Sequence, residues 1–113
     1  MKYITAIIQP DRLDDVMDEL TKRDIHLVTV SEVMGRGRQK GIAEVYRSHR
    51  ESGGLLRKVK IEIAVNTEFL PKALEAIKLG ARTGHVGDGK IFVFDLDQVL
   101  RIRTGEEGPV AIG

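Results

Sequence analysis

Apolar residues follow two rhythms along the chain. Alternating or continuous apolar runs at residues 2–9 (KYITAIIQ), 26–34 (HLVTVSEVM), 56–65 (LRKVKIEIAV) and 90–96 (KIFVFDL) predict four strands. The third is the clearest, with Val59, Ile61, Ile63 and Val65 at every second position. Between the first and second runs, Leu13, Val16, Met17 and Leu20 recur at helical spacing up to about Lys22, and Leu70, Ala73, Leu74 and Ile77 do the same after the third. Pro10 ends the first strand, and Asp11 is placed to cap the first helix. Asn66 or Thr67 is placed to cap the second, with Pro71 in its first turn. The stretch "DQVL" predicts a short helical turn before "RIRTG", and residues 104–113 read as a loose tail.

The two halves repeat. A shift of 57 carries Ile4 onto Ile61, Ile8 onto Val65, Leu13 onto Leu70, Met17 onto Leu74 and Leu20 onto Ile77. A duplicated β-α-β gives the order βαββαβ, the ferredoxin-like α+β plan of an antiparallel sheet with both helices on one face. At 113 residues the expectation is a single domain, 1–113. Some strands are apolar on both alternating sets (Ile4, Ile7 and Ile8; Phe92, Val93 and Phe94), so the sheet face without helices is expected to be covered by other subunits. About twenty residues separate the second and third strands, longer than a hairpin needs and a candidate functional loop.

Composition narrows the classes. The chain is 42% hydrophobic and 31% charged, which indicates neither disorder nor a membrane protein. Its start meets Pro10 and Asp11 too early for a signal peptide, so a cytoplasmic protein is expected. There is no cysteine, and the three histidines (His26, His49, His85) are scattered, which speaks against disulfides, thiolate chemistry and a histidine metal cluster. The formal charge of +1 hides a basic segment. Residues 36–60 hold eight basic side chains against Glu44 and Glu51, whereas the rest of the chain is acidic on balance. Such a segment attracts an anionic ligand or partner, although taken alone a charge cluster is more often a charged loop in water.

The stretch "TGHVGDGK" (83–90) superficially matches a P-loop, Gly84 to Gly89 and Lys90, but Ile91 stands where Ser or Thr would bind magnesium. The predicted order is also inverted, since a helix precedes the glycines and a strand follows. Consecutive amides in a turn can still form a concave anion nest, with Lys90 as a point charge. Arg101 and Arg103 in "RIR" would face the same way if that segment were a strand, so both could reach one polyphosphate. Taken singly, "GDG" is more often a plain turn before a strand, and "RIR" can be a solvent-facing edge strand.

In combination, "GRGRQKGIAEVYR" (35–47), "KVKIEI" (58–63) and "TGHVGDGKIFV…LRIRTGEEG" (83–108) resemble the PII nitrogen-signalling proteins over nearly the whole chain. The resemblance implies a ferredoxin-like homotrimer that is a sensor rather than an enzyme. ATP and ADP would compete for clefts between subunits, and ATP with Mg²⁺ would admit 2-oxoglutarate. The long loop, the T-loop at about 37–55, would then select a target such as an ammonium transporter or a nitrogen-metabolism enzyme, with membranes reached only through that target. It further implies phosphate contacts from Gly87, Asp88, Gly89 and Lys90, from Arg38 and from Arg101 and Arg103, with Gly35 and Gly37 allowing close backbone approach. Adenine would lie near Ile7, Thr29, Glu62 and Ala64, the last often valine in the family. Gln39 would reach Mg²⁺ and 2-oxoglutarate, Lys58 would pair with a carboxylate of that ligand, and Lys40, Gly41 and Gly87 would border it.

The chain also departs from the family pattern. Many bacterial members carry "YRGAEY", whose second tyrosine is uridylylated; here the stretch is "YRSHRE", so Glu51 removes that acceptor and no modification is expected there. His49 stands where some cyanobacterial members carry a phosphorylated serine, and Arg36 replaces a phenylalanine. The altered loop tip keeps open a divergent sensor of nucleotide plus another small anion, such as bicarbonate, serving carbon metabolism. An RNA-binding ferredoxin-like sheet is a remoter alternative, and no nucleic acid partner is expected because the strands lack the paired aromatics of such a surface.

Overall fold

The computed structural model describes residues 1–37 and 54–113. Its elements are β1 (Lys2–Ile8), α1 (Leu13–Lys22), β2 (Thr29–Gly35), β3 (Leu56–Val65), α2 (Leu70–Ala81) and β4 (Gly89–Asp95). The four strands form one antiparallel sheet in the order β2-β3-β1-β4. This is the predicted ferredoxin-like α+β fold, and the segment that separates β2 from β3 contains the undescribed residues 38–53.

Register sorts the side chains between the two faces. Ile4 pairs with Ile63 and Val93, and Ala6 with Ile61 and Ile91, so these positions share one face. On that face Ile4, Ala6, Ile8, Val59, Ile61 and Ile63 form a core with Val16 and Leu20 of α1 and Ala73, Ala76 and Ile77 of α2. The helices meet closely where α2 has Gly80. A Cβ there would lie 2.5 Å from the Val16 Cα, which no side chain can satisfy.

The opposite face carries Tyr3, Thr5 and Ile7 of β1, Lys58, Lys60, Glu62 and Ala64 of β3, and Lys90, Phe92 and Phe94 of β4. Phe92 is 46% and Phe94 55% exposed. Among the described residues no helix covers them, as the plan with both helices on one face anticipated.

The repeat extends to the connections, and here the capping expectations need correction. Each helix is entered through a 3-10 turn, Pro10–Arg12 and Thr67–Phe69, separated by the same shift of 57. Asp11 lies inside its turn, and Thr67 inside the second. Asn66 precedes that turn without a side-chain capping bond; its amide instead donates to the Pro109 carbonyl at 3.1 Å. A turn that bonds i to i+3 already satisfies the first amides, so a side-chain cap is not required. Pro71 does lie in the first turn of α2. At the other end of α1, Asp24 adopts φ 60°, and its amide donates to Thr21 and that of Ile25 to Leu20, which closes the helix. β4 starts three residues later than the repeat implies from β2, because α2 is two residues longer than α1 and the glycine-rich connection one residue longer than its counterpart.

The C-terminal expectations also change. "DQVL" forms no helical turn: Leu100 bridges to Glu107, and residues 102–104 are a turn. Residues 104–113 are not loose, because Gly108–Ala111 form a 3-10 turn that buries Ala111.

Candidate functional site

Two strand ends and a loop create a cleft of about 440 Å³. It is lined by Ile7, Arg36, Gly37, Lys58, His85, Val86, Gly87, Asp88, Gly89, Lys90 and Phe92. The walls come from the unhelixed face of the sheet and the floor from the α2–β4 connection.

That connection is shaped by its glycines. Gly84, Gly87 and Gly89 have φ of 90°, 105° and 112°, a region side chains rarely enter. Gly89 is further constrained by crowding, since a Cβ would fall 1.8 Å from the Ile7 carbonyl oxygen. The loop is then held from both sides. The Asp88 carboxylate accepts from the Thr83 amide at 2.8 Å, from the Gly84 amide at 2.9 Å and from the Thr83 hydroxyl. Gln9 donates its side-chain amide to the Gly87 carbonyl at 2.7 Å. Burial of the Asp88 carboxylate works upward on its pKa, but the bonds from Thr83 and Gly84 and the charge of His85 outweigh it and hold the group below the ordinary carboxylate range.

Asp88 therefore turns inward as an organiser, while the cations lie around the cleft. Lys58 is buried and Lys90 exposed, and both belong to the same sheet face as Ile7. Backbone amides, two lysines and Arg36 beside the apolar surface of Ile7, Val86 and Phe92 suit a ligand with an anionic end and a flat apolar end.

Of the predicted residues, Ile7, Gly37, Lys58, Gly87, Asp88, Gly89 and Lys90 meet in this cleft, and Gly35 adjoins it, its position for a Cβ lying 3.4 Å from the Lys58 side chain. Thr29, Glu62, Ala64, Arg101 and Arg103 do not line it. Thr29 and Glu62 are cross-strand partners, and the Tyr3 hydroxyl donates to Glu62. Arg101 and Arg103 do not alternate on a strand as expected. Arg101 precedes the turn at 102–104 and Arg103 lies inside it; Arg101 is turned toward the tail, pairing with Glu106 at 2.5 Å and donating to the Val110 carbonyl at 3.2 Å. Arg38, Gln39, Lys40, Gly41 and Glu51 lie outside the described residues. Among the described residues no group of three or more His, Asp or Glu could hold a metal ion, and no helix is long and apolar enough to cross a membrane.

Sequence reasoning passed over His85, Val86 and Phe92 as cleft residues, and Gln9 and Tyr3 as supports. Phe92 was legible, since alternation places it on the face of Lys90. Gln9 had no signal short of knowing the β1–β4 register.

The fold and cleft define a class: a ferredoxin-like α+β protein with a glycine-loop cleft at one end of its sheet. The comparisons with known proteins narrow it. The family model for nitrogen regulatory protein P-II matches residues 1–106. The chain is 55% identical to nitrogen regulatory protein GlnK1 of Methanosarcina mazei, over 99% of this chain and 97% of that protein. It is 50% identical to nitrogen regulatory protein P-II of Rhizobium etli and 51% identical to nitrogen regulatory protein P-II 1 of Escherichia coli, each over 99% of this chain and all of the relative. The chain belongs to the P-II family of nitrogen regulatory proteins. It is a signalling protein of nitrogen regulation.

Proposed function

We propose that the chain is a non-catalytic sensor that takes ATP or ADP in the glycine-loop cleft and reports its state to a target protein through the segment between β2 and β3. The observation that carries this reading is the convergence of the Gly87–Lys90 backbone, Arg36, Lys58 and Lys90 beside Ile7 and Phe92 in one cleft. Phosphates would meet the amides and cations, and the base the apolar end. The predicted residues that fall outside this cleft form the second half of the reading. Thr29, Glu62, Ala64, Arg101 and Arg103 would be contributed by a neighbouring copy, which closes the site from the other side in a homotrimer. Exposed Phe92 and Phe94 on the uncovered face support such packing.

Among the described lining residues Asp88 is the one carboxylate, and its oxygens are engaged within the loop. Mg²⁺ would therefore take its oxygens from the phosphates, from Gln39 and from 2-oxoglutarate. That second effector would lie against Lys58, with Lys40, Gly41 and Gly87 bordering it and Arg38 completing the phosphate contacts. The reading places the protein in the cytoplasm, acting on an ammonium transporter or a nitrogen-assimilation enzyme.

Calorimetric titration with ATP and ADP tests the core of this reading. Lys90→Ala is expected to weaken nucleotide binding about tenfold, the worth of one charge-assisted contact, while sedimentation still reports a trimer. No heat at millimolar nucleotide would overturn it. Capture of a target from cell extract with and without Mg-ATP plus 2-oxoglutarate tests the switch.

A further inference from the structure

On the uncovered sheet face, Tyr3 stands between Ala64 and Phe94, its cross-strand neighbours on β3 and β4. Its hydroxyl reaches diagonally across the β1–β3 ladder to donate to Glu62 Oε2. Glu62 lies opposite Thr5 on one side and Thr29 on the other. An ionised carboxylate accepts only and offers about four lone-pair sites, so Glu62 has capacity for a ligand donor beside the Tyr3 hydroxyl. The Tyr3 pKa is raised, chiefly by this hydrogen bond, so the hydroxyl stays a donor throughout the neutral range.

We propose that Tyr3 is a positioning residue that fixes the Glu62 carboxylate as an acceptor for the amino edge of adenine, and so sets the preference of the site for adenine over guanine nucleotides. This rests on the nucleotide reading above, in which Glu62 lies at the base. The chemistry is asymmetric: adenine presents an amino donor where guanine presents a carbonyl oxygen, and a carboxylate facing that oxygen has no bond to make and a repulsion to bear. Discrimination depends on the carboxylate being unable to turn away. The Tyr3 hydroxyl, carried on a ring that stands in the cross-strand row of Ala64 and Phe94, supplies that restraint.

The test compares Kd for ADP and GDP in the wild type, Tyr3→Phe, Glu62→Gln and the double variant, with a melting curve for each. Tyr3→Phe keeps the ring and its packing, and is expected to lower the ADP-over-GDP preference about tenfold while pyrophosphate affinity is unchanged. Glu62→Gln should lower the preference at least as much, and the double variant should lose little more than Glu62→Gln alone. An unchanged ADP-to-GDP ratio in Tyr3→Phe, or a double variant whose losses simply add, would overturn the proposal. Equal weakening of both nucleotides would reduce Tyr3 to a structural role and overturn it too. Should Tyr3→Phe fail to fold, Glu62→Gln alone still decides, because an unaltered preference there removes the group that Tyr3 is said to position. Absence of ADP binding by the wild type is a different result and strikes the nucleotide reading itself.

Discussion

Gly89 is the position where the cleft and the fold depend on the same atom. With φ of 112° and the Ile7 carbonyl 1.8 Å from where a Cβ would stand, substitution strains the backbone and pushes β4 off β1. Gly89→Ala is expected to cost about 2–4 kcal/mol and to lower the melting temperature clearly. A variant that melts like the wild type would show that β4 can shift at no cost. Gly84 makes a useful contrast: its φ is also positive, at 90°, but a Cβ there meets nothing within 4 Å. Gly84→Ala should lose only the conformational share, about 1 kcal/mol. Side by side, the two melts separate strain from collision.

At the scale of elements, the α2–β4 connection gains its shape from one carboxylate. The folded pKa of Asp88 lies below the unfolded value of about 3.9, so the ionised group stabilises the loop at every pH above that value. The contribution is lost as pH falls through the lower folded pKa. Amide exchange at Thr83 and Gly84 should therefore show constant protection through neutral pH and a loss only below the ordinary carboxylate range of about 4, and Asp88→Asn should weaken protection at neutral pH. The helix pair offers a second test. Gly80→Leu would drive a side chain into the α1 backbone, where Val16 Cα is 2.5 Å from the first added atom. The expected cost exceeds the usual 1–3 kcal/mol of overpacking because backbone, not a movable side chain, is in the way.

These elements were legible to different degrees for physical reasons. The strands and helices announced themselves through burial periodicity, and β3, buried at Val59, Ile61, Ile63 and Val65, matched its predicted limits of 56–65. Helix entry was misread because Asp11 and Asn66 are good caps by residue type, while the chain uses a 3-10 turn at both places. Alternation alone allows a strand at "RIR". What decides it is Glu106, five residues on from Arg101, which pairs with that arginine across a turn. The Gly87–Lys90 loop was legible as a glycine turn leading into a strand, but the inward direction of Asp88 was not, since it depends on Thr83 lying within reach.

For the whole molecule, the exposed ring of Phe94 should report the trimer proposed above. Phe94→Lys places a charge on the uncovered face and is expected to shift the protein toward monomers in sedimentation, with the fold retained in the far-ultraviolet spectrum. A trimer unaffected by that charge would mean that copies meet elsewhere. The C-terminal tail has a consequence of its own. Because Arg101 already holds Glu106 and the Val110 carbonyl, the tail acts as a built-in rival to any phosphate that needs this guanidinium. The pair is partly exposed, with side chains 32% and 40% accessible, so the rivalry is mild. Glu106→Gln should then tighten nucleotide binding by a few-fold, and the gain should shrink as salt is added. Occupancy of the cleft would thereby be felt some ten residues further along the chain, as a loosening of the turn at Gly108–Ala111.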